Sequence, residues 1–317
     1  MAVVSSVSTL GSLVPVQCPL CEAKEHLAER IVSGYQLVRC RKCSLVYMNP
    51  QLQSNDLARI YEEKKDPEEV ISLYARLATE SVISGYNHRM EYLESRLGRR
   101  GKLVDYACAA GYFLEVAQRR GWEAHGVDLG AWVRVATERR GVSNVHIGRI
   151  EDIAFPDGYF DIVYAAQVFE HLQDPRSVLK ELRRILHRNG ILYVDVPNYR
   201  TLPIMFGRDD FYLNAPPQHI NYFVPRTFRR LLEDGGFRVE KLETEGGLKW
   251  ENLIGRPIIS EIADAYRQGG NAGEPIPARQ EKVANAPARS WPSRVVRRLM
   301  YQRLKVGINL VAICSPV

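Results

Sequence analysis

Apolar positions along this chain follow two periods, and the switches between them predict its elements. The segments Lys102–Tyr106, Ala124–Val127, Val145–Ile147, Ile162–Ala166, Ile191–Val196 and Phe237–Thr244 read as strands. Between them, apolar residues at three-and-four spacing predict helices starting at Phe113, over Trp132–Arg140, over Ser177–His187 and over Thr227–Glu233. Each meets a stop signal: Gly121, Gly141, Asn189-Gly190 and Gly235-Gly236. Strand alternating with helix predicts a parallel α/β layer architecture. Upstream, Leu57–Glu63, Pro67–Ala78 and Val82–Leu97 carry the helical period; downstream, Ile308–Cys314 reads as a last strand.

Three stretches break these patterns. Residues 199–224 are rich in aromatic and polar side chains without a period, as expected of a lid or binding loop. Residues 269–293 are rich in Gly, Pro and Ala, which predicts a mobile excursion after a helical cover over 246–268. Residues 15–50 hold the knuckles Cys18-x2-Cys21 and Cys40-x2-Cys43, separated by eighteen residues. That spacing lets two turns offer four thiolates to one tetrahedral Zn²⁺, with a hairpin between them. Four protein ligands leave no open position, so the metal is expected to be structural.

The segment 103–128 carries the candidate cofactor chemistry. A strand runs into five small residues, Ala107 to Gly111, then a helix, then a second strand tipped by Asp128. Small residues let a ligand approach the backbone, a free helix N-terminus receives an anionic group, and the acid takes a ribose diol. A dinucleotide site would use similar parts. The segment resembles the first motif of the class I S-adenosylmethionine-dependent methyltransferases: Asp105, Gly111 and Asp128 match it, while Ala107 and Ala109 stand where glycines normally fall. Alanine there predicts a negative φ.

The resemblance spans Cys18 to Cys314. It implies a Rossmann-like sheet of parallel strands with the last strand antiparallel beside the sixth, plus a small N-terminal zinc-binding module. It implies S-adenosylmethionine along Asp105, Tyr106, Ala107, Ala109, Gly111, Tyr112, Phe113, Asp128, Leu129, Ile150, Glu151 and Gln167. Arg149 stands where the family often has an adenine-binding acid, so Glu151 or a backbone carbonyl takes that part. The helices before the core are expected to cover the cofactor, placing Tyr74, Tyr86 and His88 near it. Pro217-x-His219-x-x-Tyr222-Phe223 resembles a branch acting on sugars and other small metabolites, often with a four-cysteine module. The expected division is 1–54 leader and zinc module, 55–98 helical linker, 99–245 cofactor-binding core with lid 199–224, and 246–317 helical cover, linker and final strand.

Methyl transfer needs nucleophile, methyl carbon and sulfur in line, and a group to take a proton from a hydroxyl or enolisable carbon. The candidates are His219, His171, Tyr222 and Glu170, with His219 as the base; His171 and Glu170 follow the fourth strand tip and the others lie in the lid.

Charge changes this picture little. A net charge of +6 is mild, and Arg294, Arg297, Arg298, Arg303 and Lys305 read as a solvated helix face. An RNA methyltransferase would need a basic, aromatic patch at the zinc module; Arg39, Arg41 and Lys42 are basic, but residues 55–70 are acidic. A small-molecule acceptor is therefore the first expectation, an RNA acceptor the second, and a non-methylating binding protein the third. Six cysteines without a disulfide pattern predict a reducing, cytoplasmic setting, and residues 1–16 read as a flexible leader rather than a signal peptide. No apolar run is long enough to span a membrane.

Overall fold

The computed structural model describes residues 12–53, 66–130, 132–201, 204, 216–245 and 308–317. The helices expected over 57–63 and 295–305, the cover over 246–268, the excursion 269–293 and most of the lid fall outside these residues. The cysteine-bearing segment forms β1 (Leu13–Val14), β2 (His26–Val32), β3 (Tyr35–Cys40), β4 (Val46–Met48) and β5 (Gln51–Leu52). Helices α1 (Pro67–Leu77) and α2 (Glu80–Leu97) lead into β6 (Lys102–Tyr106), α3 (Tyr112–Arg119), β7 (Glu123–Asp128), α4 (Trp132–Arg139) and β8 (Val145–Ile147). Then come β9 (Phe160–Ala166), α5 (Pro175–Ile185), β10 (Leu186–Pro197), β11 (Asn221–Tyr222), α6 (Pro225–Asp234), β12 (Phe237–Glu245) and β13 (Asn309–Pro316).

Local chemistry sets the helix starts. Asp66, Thr79 and Asp174 each accept a first-turn backbone N–H with the side chain, and Pro67 and Pro175 occupy first-turn positions that need no donor.

The large sheet runs β12-β13-β10-β9-β6-β7-β8. β6 pairs parallel with β7 and β9, β7 with β8, and β9 with β10, while β13 is antiparallel to both its neighbours. This is the Rossmann-like order with one reversed strand. The chain leaves β8 on one side of β6 and re-enters at β9 on the other, which makes a switch point between β6 and β9. Ligands of open α/β sheets bind in the crevice beyond the strand ends at such a point.

Two expectations need correction. The helix expected to reach His187 ends at Ile185, and Leu186 to Gly190 begin β10, whose register against β9 shifts between Leu186 and Ile191. Leu186 is buried against the sheet and pairs with Phe160, so its side chain gains more in the strand than on another helical turn. The expected leader is also not free to its end: Leu13 pairs with Leu52 and Val14 with Gln51.

The cysteine module is built into the core. Its sheet, β11-β4-β3-β2, takes β11 from the segment after β10, pairing Asn221 with Tyr47 and Tyr222 with Val46. Leu20, Leu45 and Tyr47 share one apolar cluster with Val194, Phe223 and Phe228. Burying a large apolar side chain contributes about 1.5–3 kcal/mol, against about 0.5–1.5 kcal/mol for a hydrogen bond. Packing rather than strand pairing therefore holds the module to the core.

Candidate functional site

The turn between β6 and α3 lies at the switch point. Ala107 has φ 65°, Ala109 φ 47° and Gly111 φ 75°, so all three residues are left-handed. The negative φ expected of the alanines is overturned: the turn keeps the glycine conformation, at roughly 1–2 kcal/mol per alanine. Gly111 has a second constraint, since a Cβ there would meet Thr137 Cγ2 at 2.8 Å. Beneath the turn, a Cβ on Gly126 would meet Leu114 Cδ1 at 2.6 Å and Cys108 Sγ at 2.7 Å. Ala107→Gly relieves strain but adds freedom to the unfolded chain, so a gain of at most about 1 kcal/mol is expected. Thermal unfolding reads it; a lower melting temperature would contradict the strained turn.

Asp128, at the tip of β7, accepts from Ala109 N at 2.9 Å through Oδ2 and from Gly130 N at 3.2 Å through Oδ1. Each oxygen retains a second lone pair for a ligand hydroxyl. Burial raises the Asp128 carboxyl, opposed by these backbone donors. Burial, and then the charge of Asp128, holds Asp105 well above the carboxylate range. Two acids buried at one turn are relieved by a cation, and a sulfonium or ammonium group supplies one.

The other expected cofactor residues surround this turn unevenly. Tyr106 is buried, and Ile150 is turned fully into the core. Tyr112 lies under the Arg140 guanidinium, 3.5 Å from its ring centroid, and Leu129 is exposed. Glu151 stands 3.8 Å from Arg149. Phe113 stacks on Tyr164 at 3.7 Å, and Tyr164 on Tyr193 at 4.7 Å. Gln167, left-handed at φ 55°, donates to the buried Asp195, which also accepts from Tyr193. Arg89 of α2 completes this network, donating to Tyr164 Oη at 3.2 Å and lying over the rings of Tyr86 and Tyr193. Arg89, Tyr164, Tyr193 and Asp195 were not picked out by sequence reasoning; for the last three the available signal was a polar side chain inside an otherwise apolar strand run. Tyr74 stacks on Trp132 and Tyr86 meets Phe113 edge-on, whereas His88 is exposed and bonded to its own helix.

Beyond β9, Phe169–His171 forms a short 3-10 turn that carries Glu170 and His171. The segment leading into β11 brings His219 against it, with the two imidazoles perpendicular and their centroids 4.7 Å apart. Backbone and amide bonds lock the two pieces: Ile220 N donates to Glu170 O, and Asn221 Nδ2 donates to Phe169 O and Leu172 O. Met48 N of the cysteine module donates to Ile220 O, so the module braces the same segment. His171 Nδ1 lies 3.0 Å from Gln218 O, and its Nε2 is 3.7 Å from Glu170 Oε1. Burial raises Glu170 well above the carboxylate range and, with His219 nearby, pushes His171 down to about 3. Tyr222 is buried, and its hydroxyl donates to His219 O at 2.8 Å, which fixes the turn that bears His219.

The four module cysteines converge. Cys18 Sγ and Cys43 Sγ are 3.4 Å apart, Cys21 Sγ and Cys40 Sγ 3.5 Å, and all four sulfurs lie within 4.8 Å of one another. Glu22 and Ser44, each just after the second cysteine of a knuckle, are both left-handed. Tetrahedral metal–thiolate bonds of about 2.3 Å place sulfurs on the order of 3.8 Å apart, so the set fits a metal ion.

Residues 74–242 match the family model described as a methyltransferase domain, about half of the chain. A ubiquinone biosynthesis O-methyltransferase of Pseudomonas aeruginosa is 28% identical over 176 residues, which cover 53% of this chain and 73% of that protein. One from Acinetobacter baumannii is 26% identical over 128 residues, 38% of this chain and 54% of its own. Among solved structures, a SAM-dependent methyltransferase from Archaeoglobus fulgidus superposes with TM-score 0.48 at 20% identity, covering 74% of this chain and 94% of that one. No helix among the described residues is long and apolar enough to cross a membrane.

Proposed function

Because the chain belongs to the class I S-adenosylmethionine-dependent methyltransferases, we propose that it methylates a small-molecule acceptor held against Glu170, His171 and His219. The observation that carries this reading is the placement of that cluster just beyond β9, at the same edge of the sheet as Asp105 and Asp128. S-adenosylmethionine supplies an electrophilic methyl group on a positively charged sulfur. Asp105 and Asp128 would hold it: Asp128 through ribose hydroxyls, and the buried pair together through its positive charge. The cluster stabilises the acceptor as it loses its proton, and Tyr222 positions His219 through the carbonyl bond. A sugar or secondary metabolite is the acceptor class; the names of the curated relatives, O-methyltransferases of ubiquinone biosynthesis, support a small molecule. On the module, Arg39 is engaged by Glu29 at 2.8 Å, which does not favour a nucleic-acid grip.

Zinc at the four thiolates is the second part of the reading, supported by the sulfur spacing. The ion would be structural, tying the two knuckles beneath β4.

Asp128→Ala should weaken S-adenosylmethionine binding by roughly 1.5–3 kcal/mol, the worth of hydrogen bonds to a charged group. Asp128→Asn, whose single amide oxygen can accept from only one of Ala109 N and Gly130 N, should weaken it as well. The proposed activity is read as S-adenosylhomocysteine release with a panel of hydroxylated small molecules. Release that requires an acceptor and is lost in His219→Ala supports the reading. Acceptor-dependent release unaffected by changes at Glu170, His171 and His219 would overturn it.

A further inference from the structure

We propose that Glu170, His171 and His219 form a second metal site, which takes one first-row divalent cation such as Zn²⁺ or Mn²⁺. One ligand atom from each side chain lies within 4.8 Å of the others. Two imidazoles and a carboxylate are a donor set that such ions accept with positions left open.

Glu170 is the strongest indication. It is 1% exposed, and neither carboxyl oxygen has a hydrogen-bond partner among the described residues. Burying a carboxyl with no donor is costly, so the spot calls for a proton or a cation. His171 distinguishes them. Its Nδ1 faces the Gln218 carbonyl at 3.0 Å and therefore carries the hydrogen, which leaves a lone pair on Nε2. That nitrogen is 3.7 Å from Glu170 Oε1, too far for a proton shared in a hydrogen bond. It is close to the spacing of two ligands on one ion, on the order of 3–3.6 Å for bonds of about 2.0–2.2 Å. A backbone carbonyl on the far ring nitrogen is also the usual second partner of a metal-bound imidazole. The two segments are already locked by Ile220 N to Glu170 O and by the Asn221 amide, so the site is formed before any ion arrives.

This inference rests on the acceptor site proposed above and specifies how that site acts. An acceptor oxygen binds the open side of the ion, and its hydroxyl proton leaves to water. That oxygen forms the new bond to the methyl carbon as the carbon–sulfur bond breaks, and the electron pair departs on sulfur.

Cobalt titration of metal-free full-length protein separates this site from the cysteines, because thiolate-bound Co²⁺ shows strong charge-transfer bands and a nitrogen–oxygen site does not. Native protein should bind two equivalents, one with those bands and one without. In Glu170→Gln and His219→Ala the band-free equivalent should be lost or weakened at least ten-fold. The cysteine signal serves as the control for folding, since β4 pairs with β11. No band-free equivalent in native protein, or a band-free equivalent that persists in both variants, overturns the proposal. The titration needs neither acceptor nor turnover, so its failure would leave the methyl-transfer reading standing. A failure of methyl transfer would likewise leave the metal result intact.

Discussion

His219→Ala is expected to bind S-adenosylmethionine as the native protein does and to lose about 10²–10⁴-fold in turnover, the usual worth of assisting the acceptor's loss of a proton. The two properties separate because they belong to different elements. The turn proposed to hold the cofactor lies among β6, β7 and α3, where Asp128 bonds to Ala109 and Gly130. His219 stands across the crevice, packed on His171 and held through its carbonyl by Tyr222. Removing the imidazole leaves that carbonyl and the pairing of β11 with β4 in place, so the loss should fall on chemistry. Single-turnover kinetics beside a calorimetric titration checks it. Near-native turnover would reduce His219 to a packing residue, and an equal loss of cofactor affinity would mean that the crevice had collapsed.

Cys43→Ser should have the larger structural effect. A structural zinc contributes about 10–16 kcal/mol to the folding of a small module, as much as the whole net stability of a typical domain. Three remaining thiolates would not retain it, and residues 12–53 should become open to proteolysis. The damage should then travel. Met48 N bonds to Ile220 O, Asn221 pairs with Tyr47, and Ile220 N bonds to Glu170 O, so the module's edge strand braces the cluster of Glu170, His171 and His219. The variant should therefore lose turnover while the turn at Asp105 and Asp128 still binds cofactor. Metal analysis and limited proteolysis test the first part; a protease-resistant, metal-free module would contradict it.

Elements whose causes are local were legible in the sequence. Strands β6, β7, β9 and β10 announced themselves as compact apolar runs, and Cys18, Cys21, Cys40 and Cys43 by a spacing that metal geometry dictates. Asp128 was legible because a strand tip after a small-residue turn has one orientation in a parallel sheet. What escaped depends on distant partners. β11 is a strand of two residues, Asn221 and Tyr222, defined only by β4, which lies far upstream. The left-handed alanines follow from the shape of the turn between β6 and α3, which overrides the preference of the residue type. Arg89 read as one more polar helix position, and only the stacked Tyr164 and Tyr193 make it a half-buried cation over aromatic rings. Glu170 was already a candidate, but its lack of a hydrogen-bond donor among the described residues is a property of the folded chain.

Calorimetric titration of S-adenosylmethionine into the native chain and into Asp128→Ala, with matched melting curves, tests the central claim that this turn is a cofactor site. One site per native chain is expected, with affinity in the variant lower by roughly ten- to hundred-fold. No heat of binding in the native protein, or the same affinity in a folded Asp128→Ala variant, would contradict it.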